Sequence, residues 1–143
     1  MRTLPQINPE EIPADMNLMV LFGSRAKGTD THSSDWDIGI SVQAHREKPL
    51  RLFELDTVVA SLLGCSSDAL DLVELEHCSY LLQRIVAEEG TLLFERSPGL
   101  FLSFCSRAIR QWADWSRREA KLARERDIVC PRRHSSRRFL GAS

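Results

Sequence analysis

Two aspartates and a glycine–serine pair are the residues whose types and spacing could support chemistry in this sequence. Gly23-Ser24 follows an apolar segment, and after ten intervening residues Asp35 and Asp37 open an alternating one. Carboxylates two residues apart on a strand share a face and lie about 6.5–7 Å apart along it. They can ligate one Mg²⁺ or bracket two ions about 3.5–4 Å apart. The spacing therefore predicts a site for divalent cations.

The glycine–serine pair suits a phosphate group. Gly23 lets the backbone approach a ligand closely, and Ser24 offers both a hydroxyl and an amide. The amides of a following helical turn would also favour an anion. Facing the two carboxylates, such a turn could hold a nucleotide triphosphate. The alternative is purely structural, with Asp35 and Asp37 as solvated strand-edge residues and the glycine–serine pair as a tight turn.

The apolar pattern predicts the elements that would position these groups. Residues 17–22 form a short apolar run that suits a buried strand, and a helical turn over 25–27 would end at Gly28. From residue 35 to residue 42 polar and apolar residues alternate, which predicts a strand with one face in the core. On this strand Trp36 belongs to the apolar face.

The rest of the chain predicts alternating helices and strands. Helices are expected over about 49–63, 79–89 and 100–126. Strands are expected over about 70–75 and 91–95. Ser79 is expected to cap the second of these helices and Gly90 to end it. One side of the last helix carries Phe101, Cys105, Ala108, Ile109, Trp112, Trp115 and Leu122. This side is expected to pack against the sheet in the core, with a docking face at Trp112 and Trp115 as the alternative. The order predicts an α/β (α+β) domain with a small mixed sheet and a long C-terminal helix.

Length and composition fit a globular protein with one main domain. The chain has 143 residues, of which 43% are hydrophobic and 27% charged. Its longest apolar run in the first half, residues 18–22, is far shorter than the roughly 20 residues of a membrane span. With no basic region followed by an apolar stretch at the N-terminus, the sequence predicts a cytoplasmic protein without a membrane segment.

Charge divides the chain into an acidic front and a basic end. Residues 1–106 hold 8 basic and 16 acidic residues, whereas residues 107–143 hold 11 basic and 4 acidic residues. The basic end predicts contact with an acidic partner surface or with RNA, and the alternative is a solvated helix face. The sequence thus predicts an irregular lead-in over 1–16, a nucleotide-binding core over 17–98, a C-terminal helix over 99–129 and a basic tail over 130–143.

The four cysteines favour reduced thiols over a metal site. They are 13, 27 and 25 residues apart and form no C-x-x-C pair, whereas structural zinc usually recruits close pairs. The sequence therefore predicts free, mostly buried thiols.

Two segments together resemble a known enzyme signature. Residues 21–28 and 34–38, which read LFGSRAKG and SDWDI, are similar to the motif of the DNA polymerase β-like nucleotidyltransferases. Within that superfamily the chain resembles the minimal nucleotidyltransferase (MNT) group, which includes the MntA-type antitoxins. The resemblance extends over about residues 17–96. Residues 70–73 resemble the strand of the third carboxylate, and residues 86–95 resemble the closing helix, glycine and strand.

The resemblance implies roles for particular residues. The carboxylates that would bind Mg²⁺ are Asp35, Asp37 and Asp71. Asp71 would also help to activate the attacking hydroxyl, although a loop-end hydrogen bond would equally satisfy this carboxylate. Gly23 and Ser24 would hold the β- and γ-phosphates of ATP. Arg25 beside them is a candidate nucleotide-binding residue, with a solvated position on the turn as its alternative.

The resemblance also implies a function. Members of the MNT group pair with HEPN-domain toxins in type VII toxin–antitoxin systems, and MntA-type members transfer AMP from ATP to a tyrosine hydroxyl of the toxin. A HEPN-domain toxin, in a hetero-oligomer with this chain, is therefore the expected partner and substrate. Two alternatives stay open: a small-molecule nucleotidyltransferase of the aminoglycoside-modifying type, and an antitoxin that neutralises its toxin by binding alone.

Overall fold

A computed structural model describes residues 4–30, 34–43 and 51–129 of the chain. Its strands are β1 (Met16–Phe22), β2 (Trp36–Val42), β3 (Leu70–Glu74) and β4 (Thr91–Glu95). Its helices are α1 (Gly23–Lys27), α2 (Arg51–Leu63), α3 (Tyr80–Glu89) and α4 (Leu100–Val129). Short 3₁₀ turns lie at Pro9–Glu11 and Ser67–Ala69. The predicted helix start at residue 49 and the predicted basic tail at 130–143 lie outside the described residues.

The four strands form one mixed sheet in the order β3-β2-β1-β4. β1 pairs antiparallel with both β2 and β4, and β2 pairs parallel with β3. All residues of β1 except Asn17 are buried, which explains its continuous apolar run, because a central strand is covered on both faces. The predicted α/β class with a small mixed sheet is confirmed.

Two apolar clusters cover the two faces of the sheet. The cluster on the first face, here called the α2 face, includes Met19, Leu21, Ile38, Ile40, Leu55 and Val59. The cluster on the other face, the α3 face, includes Leu18, Val20, Phe22, Leu75, Val86, Phe104 and Ala108. Gly39 lies on the α3 face, where an added Cβ would be 2.6 Å from Leu75 Cδ2. The predicted alternation of side-chain direction along β2 is confirmed, but the expectation of a single face in the core is wrong, because Gly39 is buried on the second face.

Both predicted ends of α3 are confirmed, because Ser79 caps its start and Gly90 directly follows its last residue. The Ser79 side chain accepts a hydrogen bond from the Leu82 amide at 3.1 Å and caps the helix. Gly90 has an extended backbone with φ −72° and not a left-handed one. An added Cβ at this position would lie 2.6 Å from Val20 Cγ1 and still closer to the carbonyl oxygen of Val86. Close packing against β1 therefore requires glycine here.

The apolar side of α4 is buried only in its first turns. Phe104 and Ala108 are buried, and Phe104 was not among the residues expected on the apolar side. Ile109, Trp115 and Leu122 are 45%, 39% and 47% exposed, so their expected packing in the core is wrong. A helix of 30 residues is about 45 Å long, whereas strands of five to seven residues span about half of that.

The chain separates into two compact units within α4, residues 1–109 and residues 110–143. In the described part of the second unit, Trp112 and Trp115 contact each other with ring centroids 5.2 Å apart. Arg117 pairs with Asp114 one turn away. Across the described residues, no helix has the combination of length and apolar composition that crossing a bilayer requires.

Three of the four cysteines lie in the described part of the chain, and all three are free thiols. Cys65, Cys78 and Cys105 are half-buried, and burial raises the pKa of each thiol. A thiol with a raised pKa is protonated at neutral pH and is a poor nucleophile. The prediction of reduced thiols is thus confirmed for these residues.

A buried glutamine ties α3 to the end of β3. The Gln83 side chain is 7% exposed, and its amide nitrogen donates to the carbonyl oxygens of Leu75 at 2.8 Å and Cys78 at 3.3 Å. Gln83→Leu leaves the Leu75 carbonyl in the core with only the weak Cys78 thiol as a donor, at 3.5 Å. We expect the free energy of unfolding, measured in urea, to fall by about 1–3 kcal/mol.

The exposed Gln6 offers a matched control for this substitution. Gln6→Leu should change stability by no more than about 0.5 kcal/mol. Equal stability of the Gln83→Leu and Gln6→Leu proteins would contradict the assigned role of Gln83.

Candidate active site

The turn after the central strand forms one wall of the site. α1 begins directly at Gly23, which has φ +72°, and ends after five residues at Gly28, which has φ +78°. The Gly28 amide bonds to the carbonyl oxygen of Ser24 and closes the turn. The helical turn expected after β1, with Gly28 as its end, is confirmed. Ser24 and the first amides of the turn thus lie at the end of a buried strand.

Gly23 is in direct contact with the second aspartate of the motif. Phe22, the last residue of β1, is the register partner of Asp37 on β2. An added Cβ on Gly23 would lie 2.9 Å from Asp37 Cγ and closer still to Oδ2. A side chain at position 23 would therefore displace the carboxylate, and the glycine–serine turn and this aspartate form one site.

The sheet register brings the third predicted carboxylate beside Asp37. Asp37 and Asp71 are register partners on the parallel strands β2 and β3. Partners on neighbouring strands lie about 4.8 Å apart and point to the same face. Asp35 lies exposed immediately before β2, two residues from Asp37. The three carboxylates predicted from the sequence are thus brought to one end of the sheet.

The electrostatics of Asp37 reflect this convergence. Burial raises the pKa of Asp37, and the negative charges of Asp71 and Asp35 raise it further. Each of these effects makes the ionised carboxylate less favourable. A divalent cation bound among the three groups would offset their mutual repulsion.

The residues present fit a magnesium ion that is shared with a nucleotide. Within the described ranges, no three His, Cys, Asp or Glu side chains are arranged so that they alone could hold a metal. Mg²⁺ is usually bound by one or two carboxylates together with substrate phosphates and water. Asp37 and Asp71 on adjacent strands supply oxygen ligands of that kind.

The two basic residues of α1 make contacts within the protein. The Arg25 guanidinium lies 4.2 Å from the centre of the Trp36 ring, and the Lys27 ammonium pairs with Glu89 of α3 at 3.2 Å. Sequence reasoning did not find the stacking of Arg25 on Trp36. No periodic signal in the sequence links this arginine to a tryptophan eleven positions later. The alternation along the strand predicts the direction of the Trp36 side chain but not that of Arg25.

Comparisons with known proteins agree with this geometry. Residues 11–99 match the family described as Polymerase beta, Nucleotidyltransferase. The chain is 33% identical over 100 residues to the protein adenylyltransferase MntA of Aphanizomenon flos-aquae (strain 2012/KM1/D3), which covers 66% of this chain and 67% of that protein.

Solved structures show the same fold. One similar chain comes from a crystal structure of a toxin–antitoxin with AMP-PNP, with a TM-score of 0.64, 26% identity and coverage of 81% of this chain and 89% of that one. Another comes from the tri-AMPylated Shewanella oneidensis HEPN toxin in complex with MNT antitoxin, with a TM-score of 0.58, 23% identity and coverage of 82% and 87%.

Sequence similarity, fold and site thus lead to one assignment. The family match covers β1 to β4, and so includes the glycine–serine turn and all three carboxylates. The adenylyltransferase relative supports the same activity class. The chain is a nucleotidyltransferase that belongs to the polymerase β-type family and, within it, to the MntA-type minimal nucleotidyltransferases.

Proposed function

We propose that this chain is the antitoxin of a type VII HEPN/MNT pair and silences a HEPN-domain toxin by transferring AMP from ATP to a tyrosine hydroxyl. The main support is the placement of Asp37 beside both Asp71 and Gly23. The 33% identity to a protein adenylyltransferase supports AMP as the transferred group. Similar folds occur in complexes with a HEPN toxin, one of them AMP-modified.

In this proposal the carboxylates hold the metal and the turn holds the phosphates. Mg²⁺, when held by the predicted ligands Asp35, Asp37 and Asp71 together with the nucleotide phosphates, would offset negative charge on the attacking and leaving oxygens. The backbone of Gly23 and the amide and hydroxyl of Ser24 orient the β- and γ-phosphates.

The reaction itself is an in-line displacement at the α-phosphorus. The tyrosine oxygen forms a bond to this phosphorus, while the bond to the bridging oxygen breaks and pyrophosphate leaves. Asp71 is exposed, and in the proposal it accepts the hydroxyl proton and passes it to solvent.

The position of the carboxylates favours a macromolecular acceptor. β3 is an edge strand of the sheet, and both Asp71 and Asp35 are exposed. A tyrosine on the surface of another protein can reach groups at an exposed sheet edge, whereas a small acceptor is usually held in a concave pocket. These observations favour the protein substrate over the aminoglycoside-type alternative.

Labelled ATP distinguishes the three candidate functions. We expect the purified chain, with Mg²⁺ and ATP labelled at the α-phosphate, to label a HEPN toxin encoded beside it, and mass spectrometry to find AMP on tyrosine. The double variant Asp35→Asn/Asp37→Asn should lose labelling, because the metal site is removed. Asp68→Asn, which alters an exposed carboxylate outside the site, should retain it.

Each other result identifies one alternative. Labelling of an aminoglycoside in place of the toxin would show a small-molecule enzyme. If the double variant does not label the toxin but still neutralises it as well as the wild type does, the antitoxin acts by binding alone. Either result would overturn the proposal.

A further inference from the structure

Arg25 is the best-anchored charged side chain near the site, although it does not share a face with the carboxylates. We propose that Arg25 is a positioning residue, which holds the backbone at Ser34 and thereby fixes the carboxylates of Asp35 and Asp37. The inference rests on the proposed AMP transfer, in which those carboxylates act. It replaces the expected contact of Arg25 with the triphosphate.

The contacts of Arg25 leave each of its nitrogens with a partner inside the protein. Nε and Nη2 donate to the carbonyl oxygen of Ser34 at 3.3 and 2.8 Å. Nη1 pairs with Asp30 Oδ2 at 3.3 Å, and the side chain is only 19% exposed. The plane of the guanidinium covers the Trp36 ring at 4.2 Å. Three of the five guanidinium N–H donors are therefore used within the protein, and the stacked plane is held on the Trp36 ring.

The direction of the Arg25 side chain follows from the strand it contacts. Trp36 packs against the cluster on the α2 face, and its neighbour Asp37 points to the opposite face, since alternate strand residues do. The guanidinium stacked on Trp36 is therefore on the α2 face, and the carboxylates are on the α3 face.

The charge of Arg25 influences a thiol on the same α2 face. Burial raises the pKa of the Cys65 thiol, and Arg25 opposes that effect. Cys65 packs against the α2-face cluster. Arg25 thus acts on its surroundings from the side of α2.

The bond to Ser34 explains how Arg25 reaches the site without touching it. Ser34 directly precedes Asp35, so its carbonyl orientation fixes the peptide plane from which the two-aspartate segment continues. A planar guanidinium can donate two bonds to one carbonyl oxygen and stack on an aromatic ring at once. A lysine ammonium keeps the charge but cannot reproduce both contacts.

Arg25→Lys separates positioning from phosphate binding. We expect kcat for AMP transfer to fall about 10²-fold, as for a displacement of about 1 Å in the reacting groups, with KM for ATP unchanged. Arg25→Ala should behave in the same way. For a phosphate ligand the result would differ: lysine would restore most of the activity, and alanine would raise KM. That pattern would overturn the inference. Arg84→Lys on α3 is the matched control and should leave both constants unchanged.

Hydrogen exchange tests the same inference without using activity. Peptide amides over residues 34–38 should lose protection in Arg25→Lys and keep it in Arg84→Lys. Asp30→Asn removes the charge that pairs with Nη1 and leaves the two Ser34 bonds of Arg25 in place, so it should show a smaller change in the same direction. Unchanged protection in both Arg25→Lys and Asp30→Asn would overturn the positioning role. A wild-type chain without AMP transfer would overturn the proposed function, while the exchange result would still decide the role of Arg25.

Discussion

Asp37→Asn is expected to abolish AMP transfer and, in the absence of metal, to raise the melting temperature at neutral pH. Charge stabilisation by bound metal is worth several kcal/mol, so the rate should fall by about 10³-fold or more. Burial and the charges of Asp71 and Asp35 raise the pKa of Asp37 in the folded protein. Its ionised form therefore costs more in the folded chain than in the unfolded chain.

The sign of the pH dependence follows from that raised pKa. Stability from protonated Asp37 is fully present below the ordinary pKa of 3.8 and is lost as the pH rises through the folded value. At pH 7 the wild-type chain has lost this stability, whereas the Asp37→Asn protein keeps it because asparagine does not ionise. The gap in melting temperature should therefore be largest at neutral pH and should close as the pH falls towards 3.8.

Thermal unfolding in EDTA across this pH range measures the gap. Asp68→Asn, at an exposed position outside the site, should melt like the wild type at each pH. A lower melting temperature for Asp37→Asn at pH 7, or a gap that does not vary with pH, would contradict the electrostatic account. Added Mg²⁺ should narrow the gap, because it stabilises only the protein that binds it.

Gly23→Ala should have the second large effect, because it combines backbone strain with a collision at the site. Its φ of +72° disfavours any residue with a Cβ, and the new methyl group would overlap the Asp37 carboxylate. We expect AMP transfer to fall by about 10²-fold or more as the carboxylate is displaced. Unfolding should also require less urea.

Gly28→Ala separates the two causes. Gly28 has nearly the same φ, +78°, but an added Cβ there meets nothing within 4 Å. This variant should lose about 1–2 kcal/mol of stability from the backbone alone and keep most of its kcat. If both variants lose activity equally, backbone strain explains the effect, and the contact between position 23 and Asp37 does not matter.

Elements with strong local signals were predictable from the sequence. β4 lies at the predicted residues 91–95, and Ser79 caps α3 as expected. The turn at Gly23 and the alternation along β2 were also predicted, because apolar periodicity and glycine position depend on neighbouring residues only. The same holds for the two aspartates, whose shared face follows from their spacing.

Features that depend on register or on rotamers were not predictable. The pairing of Asp37 with Asp71 joins residues 34 positions apart. The only indication of it in the sequence was the resemblance of residues 70–73 to the strand of the third carboxylate in the family. Gly90 was expected only to end a helix, yet an added Cβ there would also lie 2.6 Å from Val20 Cγ1 on another element. The direction of Arg25 depends on a stacking contact across a loop. Ile109 is exposed although the adjacent Ala108 is buried, and the apolar pattern alone did not separate these two positions.

The central place of β1 has a consequence for how the chain is synthesised. β2 begins 14 positions after β1 ends, whereas the pairing with β4 joins Leu21 to Thr91, 70 positions apart. A nascent or truncated chain that lacks β4 therefore leaves one edge of a strand open that is apolar throughout residues 18–22. Open apolar edges pair with other chains and seed aggregation. The yield of folded protein thus depends on how soon residues 91–95 emerge from the ribosome.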